Sequence, residues 1–267
     1  MNRLMCMSKP QIGLSMLYCL SEPFSKMLKQ LTRVETGYVE VLDEGLHALN
    51  KKRVDALVEV AKSYGFRFTV HAPFADLNIA SPSKPILRAS LKRLTESMAY
   101  ANALDAKLWV FHPGNKTGIS TFYPNEDWRQ NIESIIELHK IAEEYGLNIA
   151  MENLPEKYGF IMKQPEDFKR FYKETGLNNI GIVLDVGHAN LEAQTEPFLR
   201  QLPDKIVHIH ASDNMGENDQ HLGIGDGKID WQNFARILSE IAYDKAVMVE
   251  SIEHVKESLQ KLKKLLA

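Results

Sequence analysis

Histidine, aspartate and glutamate side chains recur in this sequence at the ends of short apolar runs. Six runs end in such a side chain or are directly followed by one: His71, His112, Glu152, Asp185, His210 and Glu250. Three further residues of these types follow within a few positions of two of the runs: His188, Asp219 and His221. Imidazole nitrogens and carboxylate oxygens without a thiolate suit Zn, Mn, Fe, Co or Mg rather than a cysteine-based structural zinc site. The residue types therefore predict a divalent metal site.

Any one of these residues has an ordinary structural explanation. A single histidine at a strand end is often a satisfied core residue, and a single aspartate often caps a helix. Together, however, four carboxylates and five imidazoles buried in one layer would cost several kcal/mol per unpaired charge. A divalent cation would neutralise them. Because one ion accepts roughly four to six ligands, the surplus predicts either substrate-binding side chains or additional ions.

The apolar runs alternate with amphipathic stretches along the chain. The runs predict eight strands, at residues 11–16, 38–42, 67–71, 108–112, 148–152, 181–185, 206–210 and 247–251. Between them, helical spacing of apolar residues predicts helices that include 51–64, 84–104, 126–145, 164–175, 231–242 and 254–266. Alternating strands and helices favour a parallel sheet. Eight such units in 267 residues predict an α/β fold, a single (β/α)8 TIM barrel, with residues 1–267 as one domain.

A doubly wound open sheet is the competing fold. It would place a glycine-rich phosphate turn after the first strand, but residues 17–23 read LYCLSEP. The stretch GIGDG at 223–227 precedes a helix without directly following a strand, so it is weak evidence for a nucleotide-binding site. We therefore expect the barrel and no nucleotide cofactor. In such a barrel the carboxyl ends of all strands share one site, which would bring the polar residues together.

Composition limits the classes of protein. The formal net charge of −3 excludes a strongly basic nucleic-acid coat. Two cysteines, Cys6 and Cys19, cannot build a disulfide framework and indicate reduced thiols in an intracellular protein. The start of the chain lacks the apolar core of a signal peptide, and the apolar stretch 12–20 is too short to span a membrane. The sequence predicts a soluble, cytoplasmic protein without membrane partners.

The motifs around these residues resemble the xylose-isomerase-like TIM-barrel superfamily, which contains sugar and sugar-phosphate isomerases and epimerases together with the DNA repair enzyme endonuclease IV. The resemblance runs from about Gln11 to the end of the chain. The most specific pieces are His71-Ala72-Pro73, His112-Pro113-Gly114, Glu152-Asn153, Asp185-Val186-Gly187-His188, His208-Ile209-His210-Ala211-Ser212-Asp213 and Asp219-Gln220-His221.

The isomerases and epimerases imply one divalent ion, Zn, Mn or another of Fe, Co and Mg, held by Glu152, Asp185, His210 and Glu250. Glu152 and Glu250 would flank a small sugar or sugar phosphate, one removing a proton next to the carbonyl and the other returning it through an enediolate. His188 would bind substrate hydroxyls. Further substrate-binding candidates are Glu40, His71, His112 and Lys228.

Endonuclease IV implies a different use of the same positions, with three zinc ions cleaving a phosphodiester at an abasic site in DNA. Glu152, His71 and His112 would hold one ion, and the four ligands implied by the isomerases would hold the second. His188, Asp219 and His221 would hold the third. Asp185-Val186-Gly187-His188, the segment 154–158 and the absence of an arginine-rich groove favour the isomerase class. A barrel that binds a metal or sugar without catalysis is a third possibility, and related enzymes are often dimers or tetramers.

Several residues near the motifs keep two explanations each. Glu40 could bind a sugar hydroxyl or form a structural link at the barrel top, while His208 is expected to be a core residue below His210. Lys157 and Lys228 are the nearest cations for a phosphate. The aromatic side chains that could line the pocket are Phe74, Tyr123, Tyr158 and Trp231. The remaining histidines are predicted to lie on helices and face solvent: His47, His139 and His254.

Overall fold

A computed structural model describes residues 9–155 and 159–267. Eight parallel strands form a closed barrel in the order of the sequence. The strands are β1 (Gln11–Ser15), β2 (Tyr38–Leu42), β3 (Arg67–His71), β4 (Trp109–Phe111), β5 (Ile149–Glu152), β6 (Gly181–Asp185), β7 (Ile206–Ala211) and β8 (Ala246–Val249). Cys6, Lys157 and Tyr158 lie outside the described residues. The structure confirms the predicted (β/α)8 barrel and excludes the open sheet.

Helices follow the strands around the outside of the barrel. They are α1 (Phe24–Leu31), α2 (Lys51–Tyr64), α3 (Lys84–Ala103), α4 (Glu126–Tyr145), α5 (Pro165–Thr175), α6 (Val186–Asn190), α7 (Thr195–Gln201), α8 (Trp231–Glu240) and α9 (Val255–Leu265). Among the residues in 9–155 and 159–267, no helix is long and apolar enough to cross a membrane.

Local sequence signals explain where these helices begin and end. The Asn50 side chain accepts a hydrogen bond from the Arg53 amide and caps α2 at its start. Gly65 and Gly146 end α2 and α4 with φ values of 73° and 62°, a left-handed conformation that glycine adopts at little cost. These two glycines therefore return the chain to the next strand, as the sequence predicts.

The pairing of β1 with β8 closes the barrel. Four consecutive residue pairs join them, from Gln11 opposite Ala246 to Leu14 opposite Val249. Gly13 has no side chain, and a Cβ atom at that position would collide with the Met248 side chain. The glycine therefore leaves the room that Met248 needs at this seam.

Two layers of apolar side chains support the polar end of the barrel. A small buried cluster contains Leu108, Val110, Ala150 and Val183. Alternation along β5 places Ala150 on the same inward face as Glu152. A larger cluster fills the space between strands and helices, with Trp109 and Phe111 fully buried in it. The ligand-type side chains at these strand ends are therefore carried on a packed apolar core.

Candidate metal and active site

Four ligand-type side chains meet at the carboxyl ends of β5 to β8. They form what we name the central group: Glu152, Asp185, His210 and Glu250. One potential ligand atom from each lies within 4.8 Å of those of the other three, and all four residues are buried. Glu152 and Asp185 are the last residues of their strands, and Glu250 directly follows β8. The barrel topology brings together four positions spread over 99 residues of sequence.

The geometry of the central group fits a divalent cation. His210 Nδ1 lies 3.4 Å from Glu152 Oε1 and 3.2 Å from Glu250 Oε2. Asp185 Oδ2 and both ring nitrogens of His210 are buried and have no hydrogen-bond partner among the described residues. Buried polar atoms without partners are costly, and an N/O ligand set of this kind would satisfy them by binding Zn, Mn or a similar ion.

A second set of side chains shares Glu152 with the central group. This His71–His112 group consists of His71, His112 and Glu152. The Nε2 atoms of both histidines lie 3.2 Å from Glu152 Oε2, whereas Oε1 faces His210. Phe74 packs on both imidazoles, with ring-centre distances of 5.3 and 5.4 Å. Glu152 therefore belongs to both groups, with Oε1 directed at His210 and Oε2 at the two histidines of the His71–His112 group.

A third set, the His188–His221 group, consists of His188, Asp219 and His221. The Nε2 atoms of both histidines lie 3.2 Å from Asp219 Oδ2. Their Nδ1 atoms contact backbone carbonyls, at 2.9 Å for His188 to Asn153 and 3.1 Å for His221 to Glu250. Such contacts orient an imidazole and leave the other nitrogen for a ligand. His221 has φ of 48°, a strained conformation of the kind found at functional sites.

Burial and neighbouring charges shift the pKa values across the site. Burial raises the pKa of Glu152, but His210 and His112 outweigh it and hold this pKa well below its ordinary value. Burial, reinforced by Glu152 and Glu250, raises the pKa of Asp185 to about 7, although His188 opposes the shift. These carboxylates share one small volume, so their charges demand cationic partners.

The imidazoles supply those partners when no ion is bound. Burial disfavours the charged form of His210, but Glu250, Glu40 and Glu152 raise its pKa well above the ordinary value. Burial likewise opposes protonation of His221, yet Asp219 and Glu250 raise its pKa to about 9. Protons on these imidazoles occupy the electrostatic place that a divalent cation would take.

Asn153 is a supporting residue that the sequence reasoning missed as an individual contributor. Its Oδ1 accepts a hydrogen bond from the Asp185 amide at 2.7 Å, and its Nδ2 donates to the Asp185 carbonyl at 3.1 Å. Its own carbonyl orients His188. The sequence feature that could have identified Asn153 is its position directly after Glu152 at a strand end.

The other candidate residues lie at different depths. Glu40 is fully buried against His208 and His210, which favours the structural link over a contact with a sugar hydroxyl. Lys228 is exposed in the loop after β7, and within 9–155 and 159–267 no ion pair joins it to the ligand-type side chains. Trp231 is buried and donates from Nε1 to Asp213, and Tyr123 is 54% exposed.

Two of the three histidines predicted to face solvent do not. His47 is buried in a short 3₁₀ turn, where its Nε2 lies 2.8 Å from the Glu22 carbonyl and its ring packs against Phe24. His139 is buried on the inner face of α4. The prediction was wrong because the sequence pattern does not show which side of a short turn, or which face of a helix, packs against the core at a lone polar residue. His254 is exposed, as predicted.

Comparison with known proteins places this geometry in a family context. The profile of the xylose isomerase-like TIM barrel family matches residues 31–265. An uncharacterised protein of Methanocaldococcus jannaschii is 35% identical over 92% of this chain and 93% of its own. A solved structure described as a D-tagatose 3-epimerase-like protein is 31% identical, with a TM-score of 0.89 over 96% of this chain and 97% of that one.

Relatives with a named activity divide between two kinds of chemistry. A D-psicose 3-epimerase of Ruminiclostridium cellulolyticum is 24% identical over 84% of this chain and 76% of its own. A probable endonuclease 4 of Aquifex aeolicus is 26% identical over 72% of each chain. Both chemistries are therefore represented at similar distances from this sequence.

Proposed function

This chain belongs to the xylose isomerase-like TIM barrel family, and we propose that it is a divalent-metal-dependent epimerase or isomerase of a small sugar or sugar phosphate. The central group carries the proposal, because it combines a carboxylate pair, Glu152 and Glu250, with Asp185 and His210 in a buried cluster. The sugar 3-epimerases among its relatives support this chemistry.

The four side chains of the central group would hold the ion. When bound, a divalent cation polarises a carbonyl oxygen and stabilises the negative charge that develops on it. The surrounding protein supplies the rest of the environment: on the side of β4, β5 and β6 the site rests on the buried apolar cluster of Leu108, Val110, Ala150 and Val183, which excludes water there.

Glu152 and Glu250 are proposed to move the substrate proton. They extend from β5 and β8, so a small ketose bound between them presents one face to each carboxylate. One carboxylate takes the proton from the carbon next to the carbonyl, and the other returns a proton to the opposite face. Polar side chains nearby, such as His188, would hold the hydroxyls in place. A carboxylate with one free oxygen within hydrogen-bond reach can serve as this base.

The test is exchange of a substrate C–H proton with solvent. In D2O with saturating Mn²⁺ or Zn²⁺ and a panel of ketoses and ketose phosphates, NMR should show deuterium entering next to the carbonyl. Glu152→Gln and Glu250→Gln should each lower the exchange rate by about 10²-fold or more. Glu253→Gln is the matched control, because Glu253 is an exposed carboxylate just beyond Glu250.

Metal content must be measured on every variant, since both glutamates are also proposed ligands. Full exchange by a metal-loaded Glu152→Gln or Glu250→Gln variant would exclude the paired-glutamate mechanism. No exchange with any sugar, despite bound metal in the unaltered protein, would leave a barrel that binds without this catalysis.

A phosphodiesterase acting on abasic DNA is the second candidate function. One observation favours it: the His71–His112 and His188–His221 groups flank the central group, so that three ligand sets adjoin one another. That arrangement would hold three ions, which could generate a hydroxide nucleophile and stabilise the leaving oxygen.

Metal stoichiometry and DNA incision distinguish the two functions. Native mass spectrometry should count three ions per chain for the phosphodiesterase, and His112→Ala and His221→Ala should each abolish incision of an abasic duplex. One ion per chain without incision would exclude this second candidate and retain the first.

A further inference from the structure

A second polar cluster lies beneath the central group and is not used by the proposed mechanism. Glu40, from β2, is fully buried, and its Oε1 lies 3.0 Å from His210 Nε2; neither atom has another hydrogen-bond partner among the described residues. Its Oε2 lies 3.2 Å from His208 Nε2 and accepts a hydrogen bond of 3.1 Å from the Thr69 hydroxyl. Each carboxylate oxygen therefore faces one imidazole, and neither oxygen is exposed to the barrel mouth.

The contact between Glu40 and the two histidines crosses the interior of the barrel. β2 pairs with β1 and β3, whereas β7 pairs with β6 and β8, so the two strands are not neighbours. His208 and His210 are two residues apart in β7 and point to the same inward side. Glu40 thus reaches through the lumen to both.

The two nitrogens of His210 face different surroundings. Nδ1 faces the carboxylates of Glu152 and Glu250, and Nε2 faces Glu40. A neutral imidazole that donates its N–H to a carboxylate on one side presents a lone pair on the other, and such a partner fixes both the tautomer and the ring orientation.

We propose that Glu40 is a positioning residue for the metal site: its Oε1 accepts a hydrogen bond from the Nε2–H of His210, which leaves Nδ1 as the ligand atom. The inference rests on the proposed metal-dependent function. Thr69 and His208 hold the carboxylate in place, so the ring of His210 cannot rotate about its Cβ–Cγ bond without breaking the contact to Glu40.

His208 anchors Glu40 from the opposite oxygen. It is fully buried, and its ring lies 5.2 Å from that of His210 at an angle of 83°. Burying a carboxylate without partners would be strongly destabilising, and His208 provides a partner at this depth in the barrel. This explains why a second histidine lies one layer below the site.

Glu40, His208 and His210 also satisfy the distances of a metal-binding set. Full burial and the hydroxyl of Thr69 on the carboxylate favour the positioning role over an additional ion. An ion held by these three residues would make Glu40 a ligand and would contradict the positioning role.

The first measurement is the affinity of Zn²⁺ and Co²⁺ for the full chain, by calorimetry in competition with a chelator. Glu40→Ala should bind each ion about 10- to 100-fold more weakly than the unaltered protein, the size of effect known for partners of metal-bound histidines. Glu40→Gln retains an acceptor oxygen of the same reach and should lose less. Tyr172→Phe is the matched control, because it removes a buried hydrogen bond to the Ile180 carbonyl at the opposite end of the barrel, and it should bind each ion as the unaltered protein does.

The second measurement separates positioning from general destabilisation. The visible absorption of bound Co²⁺ should change in Glu40→Ala, since the ligand orientation changes. A hydrogen-bonded Nε2 proton of His210 should be visible by proton–nitrogen NMR in the unaltered protein and lost in Glu40→Ala. If Glu40→Ala does not fold, Glu40→Gln and His208→Gln provide the same spectra with smaller expected shifts.

The outcomes separate this inference from the proposed function. If the unaltered protein binds no divalent ion, the metal-dependent function fails, and the Nε2 proton signal still decides whether Glu40 orients His210. If the protein binds ions but Glu40→Ala keeps the same affinity, Co²⁺ spectrum and Nε2 signal, the positioning role is overturned. It is likewise overturned if His208→Ala removes one bound ion from the stoichiometry, because Glu40 would then be a ligand itself.

Discussion

Asp185 connects the local backbone to the chemistry of the site. Its Oδ1 accepts a 2.6 Å hydrogen bond from the His188 amide and caps α6, while Oδ2 is buried without a hydrogen-bond partner among the described residues. One oxygen therefore positions His188, and the other is left for a ligand. This division explains why a strand can end in an aspartate that the following helix also needs.

The raised pKa of Asp185, about 7, predicts that its ionised carboxylate destabilises the metal-free protein, although the same carboxylate favours metal binding. Between pH 4 and 7 folding increasingly disfavours the ionised carboxylate, so above pH 7 the metal-free fold carries the full penalty. Asp185→Asn keeps an acceptor for the cap and removes this penalty. The metal-free variant should be more stable at pH 8 by on the order of a few kcal/mol, and by less at pH 5.

Thermal unfolding with and without Zn²⁺ measures both effects. Zn²⁺ should raise the unfolding temperature of the unaltered protein and not that of Asp185→Asn. Asp230→Asn is the matched control, because Asp230 caps α8 through the Asn233 amide and is exposed away from the central group. If the unaltered protein and Asp185→Asn are equally stable at pH 8 without metal, the penalty assigned to the ionised Asp185 carboxylate is contradicted.

At the scale of elements, the loop from β7 to α8 determines where Asp219 and His221 lie. Asp213 organises this loop, since its carboxylate accepts hydrogen bonds from the amides of Gly225 and Ile229 and from Trp231 Nε1. An isolated antiparallel bridge also joins Asp213 to Leu222. The loop is therefore a fixed structure that carries the outer ligand-type residues.

Gly227 allows the loop to pack on itself. A Cβ atom there would collide with the Asp213 carboxylate and the Asn214 carbonyl. Gly227→Ala should therefore destabilise the protein by about 1–3 kcal/mol and weaken any binding that involves Asp219 and His221. Gly118→Ala is the control, because a Cβ at Gly118 meets open space.

Chemical denaturation and Zn²⁺ titration of both glycine variants provide the measurements. Gly118→Ala should match the unaltered protein in each. Unchanged stability and binding of Gly227→Ala would show that the loop can shift freely around Asp213.

At the scale of the whole molecule, the barrel concentrates charge that a net charge of −3 does not reveal. Protons and a divalent cation compete for the same ligands, and the pKa of His210 is well above its ordinary value. An ion must displace that proton, so its affinity should rise with pH.

The extra stability that Zn²⁺ provides should accordingly be larger at pH 8 than at pH 6. At a concentration of 100 times the Kd, one ion should add about 2.7 kcal/mol. Unfolding temperatures at the two pH values, with chelator or Zn²⁺, measure this difference, and His210→Asn should abolish it. An increment that is equal at both pH values would show that binding displaces no proton.

The barrel and the approximate positions of its strands could be predicted from the residue order alone, and so could the ligand-type residues near the strand ends. Alternating apolar runs and amphipathic stretches are local signals, and a barrel of parallel strands brings all carboxyl ends to one face. For this reason the residue order alone predicts that His71, Glu152 and Asp185 share one barrel mouth.

Which atoms of these residues face one another became clear only from the folded chain. Glu152 divides its two oxygens between His210 and the His71–His112 pair, and Glu40 crosses the lumen to reach β7. The burial of His47 and His139 likewise follows from packing in the folded chain. These features depend on barrel closure and on the packing of residues far apart in the chain, which periodicity along a single sequence does not encode.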